Sequence, residues 1–247
     1  MTAKRITLAL GLLLLTPTVA LAQTINLDTL FPAGDASVSG RIVQLLVVMT
    51  VLSVAPGLLM MVTSFARFVI ALSFLRSGLG LQTTPSNLIL VSLALFMTMF
   101  VMAPTFQAAW ENGVKPMVEN KISQQDGYTR TTEPFRAFMK ANVREKDVAI
   151  FQDMANERLG VQGKASEDDL RVLIPAFMVS ELRRGFEIGF LVTLPFLVID
   201  LVVATIMTSM GMMMMPPTVV SLPLKILFFV LVDGWSLLVG ALVKSFS

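Results

Sequence analysis

The sequence predicts an all-α protein of the integral membrane type, and three observations lead to this class. Of the 247 residues 55% are hydrophobic, and the mean hydropathy is +0.75. Apolar segments of about 20 residues recur, which is the length a helix needs to cross ~30 Å of hydrocarbon. Residues 107–184, between two pairs of these segments, hold 12 of the 19 Lys/Arg and 12 of the 17 Asp/Glu residues. We therefore predict two apolar helical hairpins, a water-facing helical insertion between them, and assembly of several copies into a helical oligomer.

The composition excludes several classes of protein. The chain has no Cys and no His, which removes thiol nucleophiles, disulfides, Cys or His metal sites and His-based catalytic triads. A net charge of +2 is too small to indicate a nucleic-acid partner. Gly78-Leu79-Gly80 lacks the rest of any phosphate-binding loop. We expect no enzymatic activity, no catalytic residue, no cofactor and no metal.

Residues 1–22 have the pattern of a secretory signal peptide. Lys4-Arg5 is a basic start, Ile6–Leu15 is an apolar core, and Ala20-Leu21-Ala22 is a small-x-small cleavage pattern. The alternative is an uncleaved anchor, but an apolar core of ten residues is too short to span the bilayer. We predict cleavage after Ala22 and a mature chain that starts with an extracytoplasmic segment, residues 23–41.

Residues 42–106 form the first predicted hairpin. Its long apolar tract, Ile42–Leu75, is interrupted by Pro56-Gly57 and by Arg67. The returning helix is expected to be short, covering Leu88–Ala103 and ending before Pro104.

Residues 107–184 form the predicted charged insertion, which contains amphipathic helices. Thr132-Glu133-Pro134 indicates one helix start, since proline is favoured in a first turn. Ser166-Glu167-Asp168-Asp169 resembles a capping box that opens another helix.

Residues 185–247 form the second predicted hairpin, with apolar segments at Phe190–Met207 and Leu222–Val243. Charged groups inside these segments are costly in a bilayer unless they face protein or pair. Asp200 and Lys225 lie at similar depths below the connecting loop, at ~1.5 Å per residue. We predict that these two form a buried ion pair.

The membrane topology follows from the signal peptide. Cleavage leaves the N-terminus outside the cytoplasm, and four crossings return the C-terminus to the same side. The charged insertion is then extracytoplasmic, and the loops Ala66–Asn87 and Met210–Ser221 face the cytoplasm. Arg67 and Arg76 in the first loop agree with the positive-inside rule.

The loop of the second hairpin is unusual because it is apolar, with the sequence SMGMMMMPP in Ser209–Pro217. Methionine is flexible and polarizable, and an apolar constriction excludes ions by dewetting. Gly211 permits a bend, and Pro216 and Pro217 prevent the helix from continuing. One interpretation is a pore gasket; the other is a hairpin tip that packs on its neighbours. The gasket residues would be Met210, Met212, Met213, Met214 and Met215.

The junction between the insertion and the third apolar segment carries alternating charges. Glu181, Arg183, Arg184 and Glu187 are either a solvated stripe or an intersubunit contact. Gly185 and Gly189 have the small-xxx-small spacing that permits close helix contact. The sequence leaves open whether the aromatic side chains here are core, interface or pore-lining: Phe177, Phe186 and Phe190.

Three stretches of the chain together resemble the FliP family. They are PAFMVSELRRGFEIGF, which begins at Pro175; SFLRSGLGLQTTPSNLILVSLALFMTMFVMAPT, which begins at Ser73; and SMGMMMMPPTVVSLPLKILFFVLVDGW, which begins at Ser209. With the signal peptide, the resemblance covers nearly the whole chain. The first stretch supplies the family signature residues Pro175, Phe177, Glu181, Gly185, Phe186, Glu187 and Gly189.

The resemblance implies a fold, a function and a set of partners. It implies a core subunit of the flagellar type III export gate, at the inner membrane in the flagellar basal body. Copies would form a ring of five that joins FliQ and FliR, is served by FlhA and FlhB, and passes unfolded flagellar proteins.

Two alternatives to the flagellar gate remain at this point. One is the homologous subunit of the injectisome, which usually lacks the cleaved signal. The other is a small-molecule or ion permease in which Asp200, Lys225 and Asp233 form a midplane relay. An intramembrane aspartyl protease is disfavoured because Asp200 and Asp233 lack a glycine-flanked catalytic setting.

Overall fold

The computed structural model describes residues 38–159, 166, 168–212 and 214–246. The signal peptide, its cleavage site and Met213 lie outside the described residues. The regular elements of the described residues are all helical, which confirms the predicted all-α class. They are α1 (Val38–Met61), α2 (Phe65–Gly78), α3 (Asn87–Ala109), a π-helical turn (Trp110–Val114), α4 (Lys115–Val118), α5 (Gln124–Asn142), α6 (Glu145–Leu159), α7 (Leu170–Ser209), α8 (Thr218–Leu231) and α9 (Gly234–Lys244).

The chain divides into two compact units, residues 1–51 and residues 52–247. The described part of the first unit is the N-terminal part of α1, which is apolar and largely exposed. All contacts discussed below lie within the second unit.

Among the residues that the structure describes, two helices are long and apolar enough to cross a membrane, Asn87–Val118 and Leu170–Ser209. The number rises to four if each of two bent helix pairs is one span. One bent pair joins Leu45–Met61 to Phe65–Gly78, and the other joins α8 to α9 at 65°. The predicted membrane-type helices are therefore present, and each hairpin includes one long helix and one interrupted segment.

Prolines are poor guides to the ends of these helices. Pro104 was expected to end the returning helix, but α3 runs through it and continues through the π-helical turn to Val118. Proline removes one helix hydrogen bond, but Met102 and Ala109 on either side are buried, and this packing offsets the loss. Pro56 likewise lies within α1, which ends only at Met61.

The expected helix start at Pro134 is also wrong. The helix α5 begins ten residues earlier, at Gln124, and contains Pro134. Its start is set by Ser123, whose Oγ accepts a hydrogen bond of 3.1 Å from the backbone N–H of Asp126. This cap satisfies an N–H that has no partner in the helix, and the prediction overlooked it.

The helix α7 joins the charged insertion to the second hairpin without a break. It has 40 residues, and Asp169 caps it by accepting a 2.9 Å hydrogen bond from the N–H of Arg171. The division expected between residues 184 and 185 falls inside this helix. The insertion is therefore held directly on the N-terminal half of an apolar helix.

The last apolar segment is broken instead of continuous. Asp233, which was expected within the fourth apolar helix, lies at the bend between α8 and α9 and has a left-handed φ of 51°. Gly234 is required next to it, because a Cβ at this position would lie 2.2 Å from the Phe229 ring. The side chain of Asp233 is exposed in the chain.

The helix α2 lies at the centre of the main core. It packs between α3 and α7, and its residues Phe68, Ala71, Leu72 and Leu75 are at most 1% exposed. Two smaller clusters bind α5 and α6 to the first half of α7. They contain the buried residues Met139, Val148, Val172, Leu173, Ala176 and Phe177.

Candidate functional site: the methionine loop and two ion pairs

The methionine loop turns directly from α7 into α8. Gly211 has a left-handed φ of 75°, a conformation that glycine adopts without steric cost. The N–H of Met212 donates a 3.0 Å hydrogen bond to the carbonyl of Met207, which closes the end of α7. Pro217 is the N-cap position of α8. The turn is short, and its backbone geometry is set by the residues that the sequence singled out.

The thioether side chains of this loop point away from the core of the chain. Their exposed fractions are 69% for Met210, 39% for Met212, 101% for Met214 and 42% for Met215. No side chain between Met210 and Pro217 carries a hydrogen-bonding N or O atom. The side chains of the loop therefore offer water only flexible apolar groups, and a large part of their surface is uncovered within one copy.

Asp200 and Lys225 are brought together across the second hairpin. The Nζ of Lys225 lies 2.5 Å from Oδ2 of Asp200 and also donates a 3.0 Å hydrogen bond to the carbonyl of Gly78. The two side chains differ in burial, at 6% exposed for Lys225 and 37% for Asp200. The Oδ1 atom of Asp200 is shielded from solvent and has no hydrogen-bond partner among the described residues. Within one copy, this ion pair is therefore only partly enclosed by protein.

A second ion pair, which the sequence analysis missed, lies between α2 and α7. The Nε of Arg67 donates a 2.9 Å hydrogen bond to Oε2 of Glu181, and its Nη2 bonds to Oε1 of the same carboxylate. Both side chains are 0% exposed. For Glu181, neither a solvated stripe nor an intersubunit contact is therefore correct. Arg67 lies in a helix and not in a loop that faces the cytoplasm.

The C-terminal residues complete the environment of Arg67. Its Nη1 donates hydrogen bonds of 2.9 and 2.8 Å to the carbonyl and the hydroxyl of Ser245. The guanidinium carbon lies 3.5 Å from the centroid of the Phe246 ring, a cation–π geometry. The same ring packs against Phe68 and Phe138 at 5.5 and 5.8 Å. Arg67 thus ties α2, α7 and the end of the chain together.

The glycines of the signature stretch face α2 of the same chain. A Cβ at Gly185 would lie 3.1 Å from Ile70, and one at Gly189 would lie 2.7 Å from Phe74. Larger residues would push α7 away from α2 and separate Arg67 from Glu181. The close helix contact predicted for these glycines therefore occurs within one copy.

The aromatic and charged residues of the signature have separate positions. Phe177 is 0% exposed and belongs to the core, whereas Phe186 and Phe190 are 53% and 54% exposed. Glu187 accepts a 2.7 Å hydrogen bond from Arg183 on the exposed face of α7. Pro175 lies within the N-terminal part of α7.

The signal that could have revealed the missed pair was present in the sequence. Arg67 is a single cation in an apolar tract, and Glu181 is one of two acids that shortly precede the third apolar segment. Buried charges require partners, so these two were candidates for each other. Assigning Arg67 to a loop removed it from consideration.

A family model matches most of the chain, including the long apolar helices and the methionine loop. The model of the FliP family matches residues 48–242. The chain belongs to the FliP family. The matched range contains both ion pairs and the methionine loop, while Ser245 and Phe246 lie just beyond it.

Several FliP relatives match over nearly their whole length. A protein of Rhizobium meliloti (strain 1021) is 60% identical over 92% of this chain and 93% of its own. One from Agrobacterium fabrum (strain C58 / ATCC 33970) is 58% identical over 98% of this chain and 99% of its own. One from Bacillus subtilis (strain 168) is 46% identical over 88% and 97%. Each is named flagellar biosynthetic protein FliP, and the predicted resemblance is thereby confirmed.

Proposed function

We propose that this chain is a channel-forming subunit of the flagellar type III protein export apparatus. It passes unfolded flagellar proteins across the bacterial inner membrane and is needed for flagellum assembly. Membership of the FliP family and the flagellar names of the relatives support the flagellar branch over the injectisome and over a permease. The subunit acts without catalysis, by surrounding a path.

The exposed methionine loop is the observation that carries this proposal. Its described thioethers are 39–101% exposed in the isolated chain. Any surface that packs against their exposed parts must therefore belong to another molecule. In the ring of five implied by the family resemblance, they converge on one axis. There they form a dry, yielding constriction that blocks ions and deforms around a passing chain.

The two ion pairs hold together the helices that carry the methionine loop. Asp200–Lys225 joins α7 to α8 below the loop, and Lys225 also binds the end of α2. Arg67–Glu181 joins α2 to α7 further from the loop. This framework holds the methionines in position while neighbouring copies, FliQ, FliR, FlhA and FlhB complete the apparatus.

The segments that meet at each end of the subunit support one orientation in the membrane. Phe138 in the charged insertion stacks on Phe246 near the C-terminus, so both belong to one end of the molecule. Lys225, near the methionine loop, binds Gly78 at the start of the loop between α2 and α3. We assign the first end to the periplasm and the second to the cytoplasmic side, in line with the predicted signal peptide.

Ion permeability of cells that express the assembled gate tests this function. Met→Ala at Met210, Met212, Met214 and Met215 shortens the thioethers, and we expect the closed gate to leak ions. Met→Leu at the same positions keeps volume and dryness, and we expect little leakage with slower export. Met213 is replaced in the same way in both variants.

A matched control makes the same type of substitution at a methionine outside the loop. Met→Ala at Met154, which is 50% exposed in α6, should leave ion permeability unchanged. An alanine loop that assembles normally and leaks no more than the unmodified gate would rule out the gasket role.

A further inference from the structure

The methionines of this chain differ widely in their access to solvent. The chain contains 17 Met and no Cys, so its sulfur atoms are all thioethers. Four described methionines are at most 5% exposed: Met97, Met102, Met139 and Met207. Met214 and Met210 have the largest exposed fractions of the methionines that the structure describes. Because oxidation of a side chain depends on its exposure, the methionine loop holds the most accessible thioethers of the described chain.

The change from a protected to an accessible thioether occurs within one turn at the end of α7. Met207 is buried in this last turn, whereas Met210 is the C-cap residue three positions later. Gly211 then turns the backbone away with its left-handed φ of 75°. Met207 and Met210 therefore share a local sequence but not an environment, and Met207 is an internal reference for the chemistry of the loop.

A polar atom placed on the loop would find no side-chain partner nearby. No side chain between Met210 and Pro217 carries a hydrogen-bonding N or O atom. The hydroxyls of Thr208 and Ser209 already donate hydrogen bonds of 2.8 Å to carbonyls one turn earlier in α7. Oxidation converts a thioether into a polar sulfoxide, and a polar group kept dry without a partner is costly. A sulfoxide in the loop would therefore draw in water.

We propose that the methionine loop is an oxidation-sensitive switch. A two-electron oxidant of the peroxide class converts its exposed thioethers to sulfoxides, and the constriction then admits water and ions. This inference rests on the proposed function of the loop as a seal. Water fills the path on either side of such a seal, and hydrogen peroxide is small enough to reach the thioethers through that water.

The chemical step is balanced by the peroxide alone. A lone pair of the methionine sulfur attacks one peroxide oxygen, the O–O bond breaks and a sulfur–oxygen bond forms. The sulfur loses two electrons, and the peroxide gains them. The second peroxide oxygen takes the proton of the first and leaves as water. Methionine sulfoxide reductases reverse this modification, so the switch can return to its closed state.

Oxidation of each methionine is measured first, in the purified full chain in detergent. Peptides are mapped by mass spectrometry after timed exposure to hydrogen peroxide, while circular dichroism shows that the chain remains folded. Met210 and Met214 should form sulfoxide at least about tenfold faster than Met207, because a buried thioether reacts only when the structure opens locally. Equal rates at Met207 and Met214 would overturn the proposal, whatever the loop does in export.

Ion permeability is then measured before and after a peroxide dose in cells that express the assembled gate. Met→Leu at Met210 and at Met212 to Met215 removes every sulfur atom of the loop. Met154→Leu removes an exposed sulfur atom from α6 and is the matched control. Peroxide should raise the leak several-fold in the unmodified gate and in the Met154 variant, and should leave the leucine loop unchanged. Each gate is compared with itself, so oxidation of other proteins cancels.

A second variant tests the polar product without an oxidant. Met214→Gln places an amide oxygen at about the position of the sulfoxide oxygen, and we expect the untreated gate to leak. Met154→Gln makes the same substitution in α6 and should not leak. Treatment of oxidised membranes with methionine sulfoxide reductase should restore the closed state of the unmodified gate and leave the Met214→Gln gate open.

Three results in cells would overturn the switch. Loop methionines that stay reduced after the peroxide dose would show that the oxidant does not reach them. A leucine loop that leaks as much after peroxide as the unmodified gate would assign the effect to another protein. An oxidised loop that leaks no more than before, in cells where the alanine loop leaks, would refute the switch while the seal stands. If the alanine loop does not leak either, the seal fails and the switch fails with it.

Discussion

The Arg67–Glu181 and Asp200–Lys225 ion pairs join α7 to other helices in different ways. Arg67 and Glu181 are both 0% exposed and bonded twice to each other, and Arg67 also bonds to Ser245 and contacts the Phe246 ring. Asp200 remains 37% exposed, and its Oδ1 has no partner among the described residues. The first pair is complete within one copy, and the second is not.

This difference indicates that one ion pair serves the stability of the fold and the other serves assembly. A buried charge is tolerated only when its hydrogen-bonding capacity is satisfied, and the end of the chain does this for Arg67. The Asp200 side chain is 37% exposed, so a group from outside the copy can contact it. We infer that loss of the closed pair disturbs the fold, while loss of the open pair chiefly disturbs assembly.

The largest effect is expected for the closed pair. Glu181→Ala leaves Arg67 buried without its counter-ion, which should lower the free energy of unfolding in detergent by ~3–5 kcal/mol. Glu187→Ala removes the same side chain from an exposed site on α7 and should cost well under ~1 kcal/mol. Equal losses in the two variants would show that burial of the Arg67–Glu181 pair does not increase the free energy of unfolding.

The end of the chain should contribute the next largest effect. Phe246→Ala removes the ring that covers Arg67 and contacts Phe68 and Phe138, for a cost of about 2–3 kcal/mol. Phe190→Ala, at a site that is 54% exposed, serves as the control. Thermal unfolding in detergent measures both. If the Phe246 variant is as stable as the Phe190 variant, the C-terminal residues do not stabilise the buried cluster around Arg67.

A smaller loss of stability is expected for the open pair. Because Asp200 is half-exposed, Asp200→Ala should cost about 1–2 kcal/mol in the isolated chain, less than the ~3–5 kcal/mol of a fully buried pair. Lys225→Ala should cost more, since Lys225 is more deeply buried. The double variant should assemble better than either single variant. Additive losses in this double-mutant cycle would mean that the two charges do not interact.

The smallest effect on stability is expected for an exposed ion pair, Asp169–Arg171. Arg171 bonds to the Asp169 carboxylate and holds the pKa of Asp169 below its usual range. The stabilisation is therefore complete above about pH 4, the unfolded pKa, and is lost as pH falls through the lower folded pKa. Asp169→Ala should cost about 1 kcal/mol through loss of the helix cap. Stability of the variant measured between neutral and acidic pH should show a weaker decline than that of the unmodified chain.

Much of the architecture could be predicted because it depends on local composition. The all-helical class, the apolar segments, the charged insertion and the turn at Gly211 each follow from residues close in sequence. Helix ends were predicted less well. Pro104 and Pro134 lie inside helices, because packing or an earlier cap outweighs a single lost hydrogen bond.

The candidate sites divide in the same way. Asp200 and Lys225 flank one short loop, so counting residues at ~1.5 Å each brought them to the same depth. Arg67 and Glu181 are 114 residues apart, and no local pattern relates them. Their pairing depends on the close approach of α2 and α7 that Gly185 and Gly189 permit.

By itself, the sequence determined the helical membrane-type class, the family and the apolar character of the methionine loop, since these are properties of composition and short-range order. Only the tertiary structure decided which charges are buried, that Ser245 and Phe246 enclose Arg67, and that the described thioethers of the methionine loop are exposed. Burial and electrostatic pairing depend on segments distant in the chain, and their free energies exist only after the helices have packed.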